Sequence, residues 1–359
     1  MSSQTQAQIA ESSQQAALPR LPYPPSFINR LMDSVKRLPI PYWLTYLLLI
    51  LLQTSLSHVL SWLDGWLPAF SLNPILFVFP VWLWFPLAIM THLDSVARQA
   101  LASFRSLLDV DEAEISRLSY EFTTLPNRSV IISGIFWSVI YFIIVYGVFQ
   151  AFFVANGVGI PATVFIIVEG LLSFIVGGTI YYHSIRQLRL VNRTVKMVDN
   201  FNLFQLDPVY AFSRVTAQTG IAWMILLFFT LLSFPIQLAP MPIFAFLTVQ
   251  TGLALAAFVL PLWFVHHRLF VEKHKLLSEL NQHLESTIAV LHRNLDQNEL
   301  GDMIQLNNAL TGLNTERDML AKIPTWPWRA GTLTGFLSAI ILPIVLFLIQ
   351  LVLGKILGG

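Results

Sequence analysis

Seven windows of mostly apolar residues dominate the chain, each about the 20 residues that an α-helix needs to cross the hydrocarbon core of a bilayer. They fall at roughly 43–62, 74–92, 130–151, 161–182, 216–237, 241–265 and 331–354. The expected fold is all-α, a polytopic membrane helical bundle of seven transmembrane helices. Only 11% of the 359 residues are charged, against a soluble norm of about 25%, so length here counts spans and not soluble domains. The first window is the most polar, because Gln53, Thr54, Ser55, Ser57 and His58 crowd its second half.

The charges between windows orient the bundle. Cytoplasmic loops concentrate Lys and Arg, and every basic residue except Lys355 falls in one of four alternate segments. Arg20, Arg30, Lys36 and Arg37 precede the first span; Arg98, Arg105, Arg117 and Arg128 lie in 93–128; Arg186, Arg189, Arg193, Lys196 and Arg214 lie in 183–215. Segment 266–330 holds Arg268, Lys273, Lys275, Arg293, Arg317, Lys322 and Arg329. This pattern predicts a multi-pass protein of the cell membrane with its N-terminus cytoplasmic and its C-terminus outside. The outer connections, near 62–73, 152–160 and 238–240, carry a single charge, Asp64. The sequons Asn127-Arg-Ser and Asn192-Arg-Thr lie on the cytoplasmic side and are expected to stay unmodified.

The Gln-, Ser- and Ala-rich start lacks the basic n-region of a signal peptide and runs into the Pro-rich stretch 18–25. Residues 1–24 therefore read as a disordered cytoplasmic tail. The domain reading then continues with spans one to six over 25–265, a cytoplasmic hairpin over 266–330 and the last span in 331–359. Three outside-linked helix pairs precede that single last span, and marks at their cytoplasmic exits suggest duplication. Thr91-His-Leu-Asp-Ser-Val-Ala-Arg98 is similar to Tyr182-His-Ser-Ile-Arg-Gln-Leu-Arg189 and to the run starting at His266, at spacings of about 90 and then about 84 residues.

Leu277, Leu280, Leu284, Ile288, Leu291 and Leu295 recur at three- and four-residue steps, which predicts a helix running on from the sixth span. Gly301 marks a break in 298–302, and a second helix then returns to Pro324 and Pro327 beside the interfacial Trp326 and Trp328. With helical parts of 93–128 and 183–215 this predicts an inner layer of about six short helices, packing among themselves or docking a cytoplasmic protein through 266–325.

Glu169 is the one Asp, Glu, Lys or Arg inside any span window, roughly 12 Å in from Pro161 at 1.5 Å per residue. An intramembrane acid is a functional hypothesis by default, for ion or proton binding, with a hydrogen-bonded structural carboxyl as the alternative. Ser173 and Gly177 share its helix face, and Thr248, Gln250 and Thr251 lie at comparable depth in the sixth span as candidate partners. His92, His183 and His267, with His266, sit at the inner span ends, where they are candidates for pH sensing or simply for interface contact. Prolines 80, 86, 261 and 343 lie within spans as candidate kinks. The acidic run 109–114 lacks the glycine and the final glutamate of a calcium loop and reads as a solvated helix start.

Several classes of chemistry are disfavoured. The chain has no cysteine, which removes thiol nucleophiles and cysteine metal sites. No phosphate-binding loop, HExxH or GxSxG occurs, so no cofactor or metal and no enzymatic activity on a soluble substrate are expected. The net charge of +1 argues against nucleic acid. Three functions remain as expectations: a homo-oligomeric ion channel or a small-solute, proton-coupled carrier; a membrane-embedded sensor or scaffold; and an intramembrane enzyme acting on lipid. The layout resembles, in topology, the insect chemoreceptor-type cation channels, which implies a homo-oligomer. The Thr-Tyr and Gln-Phe signature of that family's last span is absent from Leu333 to Leu353.

Overall fold

The computed structural model describes residues 22–149, 153–154, 156–198, 203, 206–233, 240–297, 301 and 303–357. The stretch 1–21 and most of the break expected at 298–302 lie outside them. Among the described residues there is no β-strand. The helices are α1 (Phe27–Lys36), α2 (Tyr42–Leu63), α3 (Val78–Phe104), α4 (Glu112–Thr123), α5 (Asn127–Phe149), α6 (Ile160–Lys196), α7 (Asp207–Ser233), α8 (Pro240–Asp296), α9 (Met303–Lys322) and α10 (Ala330–Leu357). Seven of them, α2, α3, α5, α6, α7, α8 and α10, are long and apolar enough to cross a membrane. Apart from the central α7, their apolar surfaces remain largely exposed in the isolated chain, as lipid-facing helices require.

The centre of the bundle is α7, which packs against α3, α8 and α10, while α3 also packs on α6 and α2. In contrast, α5 packs chiefly on α6. The glycines of α6 make those approaches possible. A Cβ at Gly177 would strike the backbone carbonyl of Trp82 in α3, and one at Gly170 or Gly178 would strike the rings of Tyr141 or Trp137 in α5. Small residues of this kind let helix backbones meet closely where no hydrophobic force drives them together.

At the end of the bundle that gathers the basic residues, termed the basic end, α8 runs on from the sixth span as expected. The helical parts expected in 93–128 and 183–215 are, in addition to the short α4, unbroken continuations of α3 and α6, and α1 and α9 complete the layer. No proline or glycine interrupts 92–104, 183–196 or 266–296, and continuing a helix avoids the unsatisfied backbone groups that each new end creates. The hairpin of α8 and α9 is closed by Lys273, whose Nζ donates to the carbonyls of Ala321 and Ile323 at 2.7 and 2.8 Å. These are end carbonyls of α9, where a cation also complements the helix dipole.

The residues just before α1 are held in place. The Tyr23 hydroxyl donates to the Thr124 carbonyl at 2.9 Å and accepts from Arg186, while Tyr120 donates to the Tyr23 carbonyl at 2.7 Å. Burial, partly offset by Arg186, pushes the Tyr23 phenol up to about 12, so it stays a neutral donor at ordinary pH. The end of the stretch expected to be disordered is thus tied to the turn between α4 and α5. The acidic run starts α4 as expected: Asp111 caps it by accepting from the Glu114 amide at 2.8 Å. At the opposite end Asp64, the one charge of the outer connections, accepts from the Ala162 amide at 2.7 Å. It supplies the cap that Gly159 cannot give α6 and places a negative charge at that helix's positive pole.

Candidate functional site

Glu169 lies nine residues into α6 and is 4% exposed. The partners it meets come from α2. Gln53 Nε2 donates to its Oε1 at 2.6 Å, and the Ser57 hydroxyl lies 3.2 and 3.3 Å from its two oxygens. Gln53 is itself oriented, since its amide oxygen accepts from the Trp84 indole of α3. Ser173 donates to the carbonyls of Glu169 and of Phe79, at 2.7 and 2.8 Å, fixing α6 on α3 one turn below the acid. No Lys, Arg or His makes an ion pair with Glu169 among the described residues.

The residues expected beside Glu169 are elsewhere. Gln250 is buried, but it accepts from the Tyr181 hydroxyl at 3.2 Å, and Tyr181 is twelve residues further along α6, or about 18 Å. Thr248 is exposed and donates to the Phe244 carbonyl of its own helix at 2.9 Å. The Thr251 hydroxyl has no partner among the described residues. The first span's polar cluster supplies the partners instead, which is why it tolerates Gln53 and Ser57 in a transmembrane helix.

Glu169 also lines a cavity of about 650 Å³ between α5, α3, α7 and the start of α8, with α6 as its floor. Its wall is apolar and strongly aromatic: Phe79, Trp82, Trp137, Tyr141, Phe174 and Tyr181 line it together with Glu169, its one acidic residue. The polar groups of the wall are mostly satisfied within the protein. Trp82 donates to Thr230 at 2.8 Å, and Tyr141 donates to the Ile167 carbonyl at 2.8 Å. Ile144 and Phe246 stay exposed at the mouth, so the groove faces the side of the bundle where lipid would lie.

The histidines do not form a ring. His183 is buried and its Nε2 sits 2.8 Å from Asp94 Oδ1. His92 contacts the Gln218 amide oxygen at 2.5 Å, His266 stacks on Trp326 with centroids 4.0 Å apart, and His267 is exposed. No three His, Asp or Glu side chains converge as metal ligands among the described residues. Asp94 is the site that sequence reasoning passed over. It is fully buried, and Gln187 joins the pair by donating to Asp94 at 3.2 Å and to the Phe122 carbonyl at 3.0 Å. One signal could have found it, since Asp94 and His183 belong to the two matched blocks at the span exits.

Compared with protein-family models, curated proteins and solved structures, the chain matches none of them.

Proposed function

We propose that the protein is a multi-pass membrane protein, oriented with its basic end in the cytoplasm, that admits lipophilic organic cations from the bilayer into the aromatic groove and exchanges them against a proton on Glu169. The observation that carries this reading is a buried acidic residue, without a counter-ion among the described residues, in the lining of an aromatic cavity. A charge without a partner is costly in an apolar medium, so the acid is protonated or paired with a cation from outside. Aromatic faces add cation–π attraction for a ligand stripped of water. An apolar wall of this kind suits an organic cation better than the hydrated ions of an aqueous pore.

Purified protein in liposomes is expected to bind radiolabelled tetraphenylphosphonium saturably and to ignore triphenylphosphine oxide, a neutral analogue of similar shape. Equal binding of the two compounds, or binding of neither, would remove the cation reading. The proposed orientation has its own check. The chain contains no cysteine, so Ala69→Cys and Lys275→Cys each introduce a single exposed thiol. In intact cells an impermeant maleimide labels the first and spares the second; the reverse pattern would invert the topology.

A second reading, docking of a further copy or a soluble partner, rests on the far end of the α8–α9 hairpin. Ile288, Val290, Leu295 and Ile304 are exposed there, Ile304 by 76%, and clustered exposed apolar side chains mark contact surfaces.

A further inference from the structure

A second cavity, of about 760 Å³, opens at the basic end between α3, α7 and the start of α10. Its lining changes character along its length. Arg214, Arg329, Gln99 and Ser103 stand at the polar rim, whereas Ala217, Ile221 and Gly335 line the part running into the apolar slab. From Asp207 to Ile221 the α7 wall extends about 21 Å at 1.5 Å per residue.

The charges at the rim are unbalanced. Arg329 donates to Asp207 at 2.5 Å and lies over the Tyr210 ring, 6.0 Å from its centroid. Arg214 is exposed and has no ion pair or hydrogen bond to any described residue. Asp207 is thus the one acid facing two guanidinium groups in this cavity. The amino end of α10 closes the same rim, at Gly331 and Thr332, and a long helix carries partial positive charge there. The apolar part has room to spare, since a Cβ built on Gly335 meets no atom within 4 Å.

We propose that this cavity binds one anionic phospholipid from the leaflet at the basic end, its headgroup on Arg214, Arg329 and the start of α10 and an acyl chain along Ala217, Ile221 and Gly335. Basic clefts between spanning helices at a membrane face recognise acidic headgroups through the same charges that recognise free phosphate. The apolar continuation selects the lipid over the free ion.

The test uses the full chain, purified and delipidated in a neutral detergent, with native mass spectrometry counting bound lipid. Phosphatidylglycerol is expected to be retained over phosphatidylcholine, and Arg214→Gln to cut that retention about fivefold. Gly335→Leu, which leaves every charge in place, is expected to abolish it. Inorganic phosphate at equal concentration should not displace the lipid. Equal retention of the two lipids, or full displacement by phosphate, would overturn the proposal. So would wild-type retention in Arg214→Gln or in Gly335→Leu. Arg214 has no partner to lose, so an unchanged melting temperature separates lost binding from lost folding.

Discussion

Glu169→Gln abolishes saturable binding of tetraphenylphosphonium while the protein keeps its melting temperature. Glutamine matches glutamate in size and can still hydrogen-bond to Gln53 and Ser57, so the contact between α2 and α6 survives. What disappears is the negative charge facing the aromatic cavity. Removing one partner of a desolvated charge pair costs about 2–5 kcal/mol in binding, or roughly thirtyfold and upward in affinity. Ser57→Ala should have a smaller effect, since it removes a donor beside the carboxylate and leaves the charge. In liposomes carrying an internal pH dye, cation uptake by the wild type is expected to move protons the other way, and the glutamine variant should move neither. Unaltered affinity in Glu169→Gln would reduce the acid to a brace between α2 and α6.

Asp94→Ala strongly destabilises the fold. The pair it belongs to is fully enclosed, at 1% side-chain exposure for both Asp94 and His183. Removing the carboxyl strands the buried His183 imidazole and one donor of Gln187. Breaking a buried pair in this way typically costs about 3–5 kcal/mol. The site is already under-satisfied: Asp94 Oδ2, His183 Nδ1 and Gln187 Oε1 have no hydrogen-bond partner among the described residues. A double substitution, Asp94→Leu with His183→Leu, should therefore be no worse than Asp94→Ala, because it removes both polar groups together. Thermal unfolding of Asp94→Ala, Asp94→Leu, His183→Leu and the double variant in detergent measures the difference. A double variant that loses stability additively would show that the two residues are not coupled.

The spans were legible because a bilayer demands about 20 apolar residues in a row, and each of the seven windows falls on a helix over its described residues. Their true lengths were not, because a hydropathy window ends where polar residues begin, while a helix ends where something stops it. That difference hid Asp94. It lies two residues past the second window, in a connection read as partly helical and cytoplasmic, yet α3 runs on unbroken and carries it into a buried layer against α6. Glu169 stood out as the lone acid in a span. Its partners did not, because depth in the membrane says nothing about which helices are neighbours. Thr248, Gln250 and Thr251 lie on α8, and Gln250 meets α6 only at Tyr181, twelve residues beyond the acid. Gln53 and Ser57 had been visible as an excess of polarity in the first span, and the acid opposite explains that excess. The aromatic groove was invisible in the chain order, since its walls come from helices far apart in sequence.

One 37-residue helix, α6, carries Glu169, the two glycines that seat the α5 rings, His183 and Arg186 without a break. At about 55 Å it is a lever whose two arms are a groove in the membrane and a clamp on the segment around Tyr23. If the groove takes a bulky guest as proposed, a few degrees of roll there would be carried to the far arm, where Arg186 grips Tyr23 and the α4 carbonyl of Glu121. Under the proposed function, occupancy of the groove would then be readable at the basic end.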